Sequence, residues 1–134
     1  MIHLDTSLLV DVLREAGRGE PARGTRFLES LASEELCISV HVACELAAGA
    51  EASARPAVER QRVHRLVEGL HVAYPEARFA ETYGRLLAWM SSRGQRIATM
   101  DLLIATCAVV DDAPLATRNV KDFARVPGLR VLGY

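Results

Sequence analysis

The chain has 134 residues, and half of them are hydrophobic, which is enough to build the core of one ordinary domain without disulfides or a structural metal. Its 16 basic and 17 acidic residues leave a formal net charge of −1, which argues against a coat of positive charge that holds nucleic acid by counterion release alone. The same apolar fraction argues against an intrinsically disordered chain.

Short apolar runs alternate with amphipathic segments along the chain. The runs predict strands over residues 1–4, 36–40, 70–73, 114–116 and 129–132. The amphipathic segments predict helices after Asp5 and over residues 22–33, 41–50, 56–68, 76–92 and 100–111. Thr6 or Ser7 is expected to cap the first helix and Thr99 the last, while residues 117–123 are expected to form a turn. The alternation predicts an α/β fold in which a small central parallel sheet is sandwiched between helices, in a single domain spanning residues 1–134.

The three cysteines predict a reducing compartment. Cys37, Cys44 and Cys107 lie in apolar runs and form no C-x-x-C pair, so we expect buried thiols rather than disulfides or a zinc site. The first 15 residues lack the basic start of a signal peptide, and no run approaches the roughly 20 apolar residues of a membrane span. We therefore expect a cytoplasmic protein without membrane association.

Acidic and amide side chains follow the predicted strands. Asp5 comes directly after the first strand, Glu45 lies on the helix after the second, and Asp101 opens the most apolar helix. Asn119 and Asp122 follow the strand at residues 114–116. Because ligands of open α/β sheets bind beyond the carboxyl ends of the strands, we expect these side chains to share one edge.

Each of these residues also has a purely structural interpretation. Asp5 could cap the first helix, Glu45 could be a solvated helix residue, and Asn119 and Asp122 could be turn residues. Asp101 could be a first-turn acid favoured by the helix dipole. However, Asp101 enters an apolar helix, where an unpaired carboxylate is costly and where a metal or a basic partner would relieve that cost.

A set of carboxylates without His or Cys ligands suits a hard cation such as Mg²⁺ or Mn²⁺. Such a set is the usual apparatus for hydrolysing phosphodiester bonds, because the metal polarises the phosphate and activates water. The sequence therefore predicts a metal-dependent phosphodiesterase.

Four segments carry a resemblance to a known family. In chain order they are LDTSLLVDVLR, VACELAAGAE, MDLLIATCAVVDD and ATRNVKDFARVPGL. Their order and spacing resemble the PIN-domain family, and the closest likeness is to VapC-type toxins of bacterial toxin–antitoxin pairs. The likeness covers essentially the whole chain.

The resemblance implies an endoribonuclease that depends on one or two Mg²⁺ or Mn²⁺ ions and leaves a 5′-phosphate and a 3′-hydroxyl. By the family pattern, Asp5, Glu45 and Asp101 are the metal-binding acids, and Thr6 or Ser7 orients ligands beside Asp5.

A fourth ligand position remains open between Asn119 and Asp122. If Asn119 fills it, the site is less acidic and a second ion is in doubt; Asp122 would then contribute directly or through water. Arg118 either meets the RNA backbone or the developing negative charge, or it is a surface residue paired with a neighbouring acid.

The resemblance also implies partners: a homodimer, RNA as substrate, and a VapB-type antitoxin whose C-terminal tail follows the toxin groove, with a larger hetero-oligomer as one outcome. Two alternatives within the family are a housekeeping RNA-processing nuclease without an antitoxin and a catalytically silent binding module. A phospho-receiver module is a third alternative, but it needs an acid pair after the first strand and a late lysine. Here Asp5 stands alone there, and Lys121 is the only lysine.

Overall fold

A computed structural model describes all residues 1–134 and contains five short strands and seven helices. The strands are β1 (Ile2–Leu4), β2 (Leu36–Ser39), β3 (His71–Ala73), β4 (Leu115–Thr117) and β5 (Val131–Gly133). The helices are α1 (Thr6–Arg18), α2 (Arg23–Ser30), α3 (Val40–Glu51), α4 (Pro56–Val67), α5 (Phe79–Ser92), α6 (Thr99–Val110) and α7 (Val120–Phe123). No helix is both long enough and apolar enough to cross a membrane.

All strand neighbours are parallel, and the sheet order is β3-β2-β1-β4-β5. Parallel neighbours require crossover connections, and helices occupy every one of them. The chain builds outward from β1 to β3 and then returns to the other side of β1 to add β4 and β5. The strand order therefore reverses between β1 and β4, which is where a ligand crevice opens in sheets of this kind. The predicted α/β fold with a central parallel sheet is confirmed.

The core is centred on β1, β4 and α6. Leu4, Leu115 and Ile104 are almost completely buried, together with Leu8 of α1 and Ile38 of β2. Helix α6 also buries a continuous run of small and apolar side chains, namely Ala105, Thr106, Cys107 and Ala108. The expectation that this apolar helix lies at the centre is confirmed, and it fixes Asp101 in the first helical turn.

The expected helix caps are wrong. Helix α1 begins at Thr6, so Asp5 takes the N-cap position, but the Asp5 side chain makes no capping hydrogen bond. Helix α6 begins at Thr99, and Ala98 precedes it without a side-chain cap. The hydroxyl groups of Thr6 and Ser7 donate to the carboxylates of Glu45 and Asp5 and do not cap α1, as described below.

Two further expectations need correction. The sequence predicts a turn over residues 117–123, but these residues include the short helix α7, which buries Phe123. Cys37 and Cys107 are buried as expected, whereas Cys44 is exposed. Cys44 is exposed because α3 buries Val42, Leu46 and Ala50, which lie on one face, and Cys44 lies off it.

Candidate active site

Asp5 lies at the carboxyl end of the central strand and is 3% exposed. Leu4 pairs with Ala116 across β1 and β4, so the next residues, Asp5 and Thr117, are neighbours at the sheet edge. The Oδ2 atom of Asp5 accepts hydrogen bonds from Thr117 Oγ1 at 2.6 Å and from Ser7 Oγ at 2.7 Å. These two hydroxyls fix the orientation of the carboxylate and leave Oδ1 without a hydrogen bond from the protein.

Glu45 reaches the same edge from α3. This helix starts directly after β2, because the Ser39 side chain accepts the N–H of Val42 at 3.3 Å and so caps the helix. One turn later the half-buried Glu45 accepts a hydrogen bond from Thr6 Oγ1 at 2.7 Å through its Oε1 atom. Thr6 therefore connects the start of α1 to the acid on α3.

The carboxylate of Asp101 is repelled by the carboxylates of three other acids. Burial raises the pKa of Asp101, and the carboxylates of Asp5, Glu45 and Asp122 raise it further, to about 6. Every charged group that contributes to this shift is an acid. The structure therefore brings the charges of four acids that are far apart in the sequence to bear on one another at Asp101, and no basic group contributes to the pKa shift of Asp101.

Asn119 and Asp122 lie beyond β4 and are bonded to each other. The Asn119 side-chain N–H donates to Asp122 Oδ2 at 3.1 Å, and its backbone N–H donates to Thr117 Oγ1 at 2.9 Å. Asp122 is the member of this pair that adds negative charge around Asp101, and Asn119 holds it in place.

The acids do not form a finished metal site. No three His, Cys, Asp or Glu side chains lie close enough together to hold an ion as they stand. The donor atoms are nevertheless all oxygens, which is the chemistry that Mg²⁺ and Mn²⁺ prefer. Burial and then repulsion by the other acids raise the pKa of Asp101, and a bound cation would offset both effects. The residues therefore fit such an ion, provided that the side chains draw together around it.

Arg118 lies next to this group and is paired with an acid. Its backbone N–H donates to Ser7 Oγ at 3.2 Å, and its guanidinium group forms an ion pair with Asp11. The salt-bridge interpretation of Arg118 is thus observed. The hydroxyl of Tyr134 donates to the same Asp11 carboxylate at 2.7 Å.

Sequence reasoning missed three residues of this region: Thr117, Asp11 and Tyr134. Thr117 carried a usable signal, because it directly precedes Arg118 at the end of a strand. Asp11 and Tyr134 carried none, since they meet only through the fold.

A groove of about 380 Å³ extends from Glu45 between α1, α3 and α4. Its apolar lining consists of Val10, Leu13, Leu46, Ala50 and Val63. Arg14, Glu59 and Arg62 add charged groups along its length. Glu45 thus belongs both to the acidic edge and to an amphipathic groove.

Comparison with known proteins gives consistent matches over almost the full chain. The family model described as PIN domain matches residues 2–129. Ribonuclease VapC2 from Rickettsia felis is 30% identical over 127 residues, covering 94% of this chain and 92% of that protein. Ribonuclease VapC19 from Mycobacterium tuberculosis is 36% identical over 128 residues, covering 95% of each protein.

Among solved structures, a chain of VapBC2 from Rickettsia felis, crystallised with a DNA fragment from its promoter, superposes with a TM-score of 0.90. That chain is 29% identical, and the match covers 100% of this chain and 99% of that one.

Proposed function

The chain belongs to the PIN-domain family, within it to the VapC ribonucleases, and from this premise we propose that it is the toxin of a toxin–antitoxin pair, an Mg²⁺- or Mn²⁺-dependent endoribonuclease that acts at the acidic edge of its sheet. The observation that carries the proposal is the group of four acids around Asp101, in which the carboxylates of Asp5, Glu45 and Asp122 raise the pKa of Asp101 and no basic group lowers it. We further propose that residues 1–134 act as one domain in the cytoplasm, where the RNA is.

Asp5, Glu45 and Asp101 would hold one or two ions, and Asp122 would add a fourth carboxylate directly or through water. When bound, the ion supplies Lewis-acid polarisation of the phosphate and lowers the pKa of water.

The polar residues around the acids support them. Ser7 and Thr117 hold Asp5 through one oxygen, and Thr6 holds Glu45. Asn119 holds Asp122. Because each hydroxyl or amide fixes one carboxylate oxygen, the other oxygens remain free to face a ligand.

A VapB-type antitoxin is the proposed partner. The groove that begins at Glu45 offers an amphipathic path on which a segment of the antitoxin can reach the acids. We also propose that the chain forms a homodimer and that, together with the antitoxin, it forms a larger hetero-oligomer. The alternative of a housekeeping nuclease without an antitoxin is not favoured, because the relatives are VapC ribonucleases. A catalytically silent module is disfavoured by the intact set of acids.

The test is cleavage of a labelled RNA by the purified protein with Mg²⁺, with Mn²⁺ and with EDTA. We expect cleavage only with metal, and a loss of about 100-fold or more in Asp5→Asn and Asp101→Asn. Asp112→Asn is the matched control, because Asp112 is an exposed acid with a φ of 49°, a conformation that Asn accepts readily.

Induced expression of the wild type should arrest growth, and co-expression of a short upstream reading frame should relieve the arrest if that frame encodes the antitoxin. Equal cleavage by folded wild type and both site variants would contradict the proposal.

A further inference from the structure

Arg118 is fixed at both of its ends. Its backbone N–H is bonded to Ser7, which itself donates to Asp5, so the backbone of Arg118 is joined to the acidic edge. Its guanidinium group is paired with Asp11 on α1. The Arg118 side chain is still 53% exposed, whereas that of Asp11 is 14% exposed. The solvent-exposed guanidinium group of Arg118 is therefore held in place by the largely buried carboxylate of Asp11.

Tyr134 completes the support of Arg118. Its hydroxyl donates to Asp11 Oδ2, while Arg118 donates to Oδ1, so both carboxylate oxygens have a donor. The Tyr134 ring stacks on Phe27, with the ring centroids 4.8 Å apart. Burial, and then the bond to Asp11, raise the pKa of Tyr134, so the phenol remains a donor at neutral pH. Asp11 consequently has little freedom to release Arg118 or to turn.

Arg118 also borders a concavity of about 230 Å³, whose other lining residues are Asp11, Glu15, Ala22, Arg23 and Tyr134. Both acids in this lining are already bonded. The Glu15 carboxylate accepts the backbone N–H groups of Ala22, Gly24 and Thr25. Arg23 takes part in none of the ion pairs of the structure. The lining thus contains two arginines and two acids, the carboxylates of both acids already accept hydrogen bonds, and Arg23 has no ionic partner.

We infer that Arg118 binds a phosphate of the RNA backbone beside the scissile bond, and that Asp11 and Tyr134 are positioning residues which act through Arg118. The inference rests on the proposed function. A guanidinium group has five N–H donors, and the bond to Asp11 uses only part of them, so the rest of the fork is free for a phosphate. Because the rotamer of Arg118 is already restricted in the free protein, binding loses less side-chain entropy.

Tyr134→Phe removes only the hydroxyl and keeps the ring on Phe27. We expect it to raise KM for RNA about 3- to 10-fold and to leave kcat within about twofold, because ground-state binding is what weakens. Arg118→Ala should raise KM about tenfold or more and lower the slope of log affinity against log salt by about one. In the Arg118→Ala background, Tyr134→Phe should have no further effect, since its target is gone. Arg130→Ala, an exposed arginine paired with Asp112, is the control and should change nothing.

Asp11→Asn should also raise KM for RNA, because it keeps the side-chain shape and removes the charge that holds Arg118. RNA affinity measured by fluorescence anisotropy on the same proteins reads the Arg118 contact without requiring cleavage. A Tyr134→Phe effect of equal size in both backgrounds, or an unchanged RNA affinity in Arg118→Ala, would overturn the inference. If the wild type does not cleave RNA but the affinities of the single and double variants follow the expected pattern, the proposed function is overturned and the phosphate-binding role of Arg118 is not.

Discussion

Asp101 is a residue whose placement opposes stability. It lies in the first turn of the most apolar helix, and burial and the neighbouring acids both disfavour its charged form. The sequence alone located Asp101 as a costly carboxylate, because its apolar surroundings are visible in MDLLIATCAVV. The sequence alone did not show that Glu45 and Asp122 contribute to the cost, since their distance from Asp101 depends on the packing of α3 and α7.

Asp101→Asn should therefore stabilise the metal-free protein at neutral pH. The pKa of Asp101 is about 6 in the folded state against 3.8 for an unperturbed aspartate, so the folded state binds the proton more tightly than the unfolded state. The resulting destabilisation is absent below about pH 4, grows as the pH rises and is complete above about pH 6. After allowance for solvent screening of this half-buried group, we expect a gain on the order of 1–2 kcal/mol at pH 7.5.

Thermal unfolding in EDTA between pH 4 and pH 8 measures this gain, with Asp112→Asn as the reference. Added Mg²⁺ should raise the Tm of the wild type and not that of Asp101→Asn, because binding to the folded state stabilises it. A difference between wild type and Asp101→Asn that stays constant from pH 4 to pH 8 would show that charge is not its cause.

At the scale of elements, periodicity located every strand and all helices except α7, with ends displaced by a few residues. The errors have local causes. Thr6 has the chemistry of a helix cap, but the fold brings Glu45 within reach of its hydroxyl. Asn119 and Asp122 are typical turn residues, and only the burial of Phe123 shows why a helical turn forms there.

The junction of α1 and α2 depends on close contact at Gly24. A Cβ atom at Gly24 would lie 2.9 Å from Asp11 Cβ and 3.0 Å from Glu15 Oε2, so Gly24→Ala must push one of these groups away. Because Glu15 binds the N–H groups that begin α2, we expect a loss of about 1–3 kcal/mol in the free energy of unfolding.

Gly49→Ala is the matched control for Gly24→Ala. Gly49 lies within α3, and a Cβ atom there meets nothing within 4 Å. The helix propensity of alanine should then stabilise the protein by about 0.5–1 kcal/mol. Urea denaturation of both variants measures the two effects, and equal effects of the same sign would refute the importance of contact at Gly24.

At the scale of the whole molecule, strand order creates the acidic edge. Strand β1 lies between β2 and β4, so Asp5 meets Thr117 across one pairing and approaches Glu45 after the other. The alternation of strands and helices predicted parallel strands, but it did not specify their order, because adjacent strands are joined by long-range hydrogen bonds that local sequence does not encode. The convergence of the acids could be expected from the rule on strand ends, whereas the network of Asp11, Arg118 and Tyr134 could not.

This concentration of acids changes what the formal net charge of −1 means for RNA binding. A phosphate that approaches Asp101 meets four carboxylates, so repulsion opposes RNA binding at the acidic edge even though the whole molecule is nearly neutral. One divalent ion at the acids would cancel half of the charge of these four carboxylates, and two would cancel all of it. RNA affinity should therefore rise about tenfold or more when EDTA is replaced by Mg²⁺ at constant ionic strength.

Fluorescence anisotropy of a labelled RNA at 4 °C, with RNA integrity checked on a gel, measures this change in affinity. The double variant Asp5→Asn, Asp101→Asn should bind RNA in EDTA more tightly than the wild type and respond little to Mg²⁺, whereas Asp112→Asn should behave as the wild type. If the wild type binds equally well with EDTA and with Mg²⁺, the acids do not control access of the phosphate, and the basic residues outside the edge must supply the affinity.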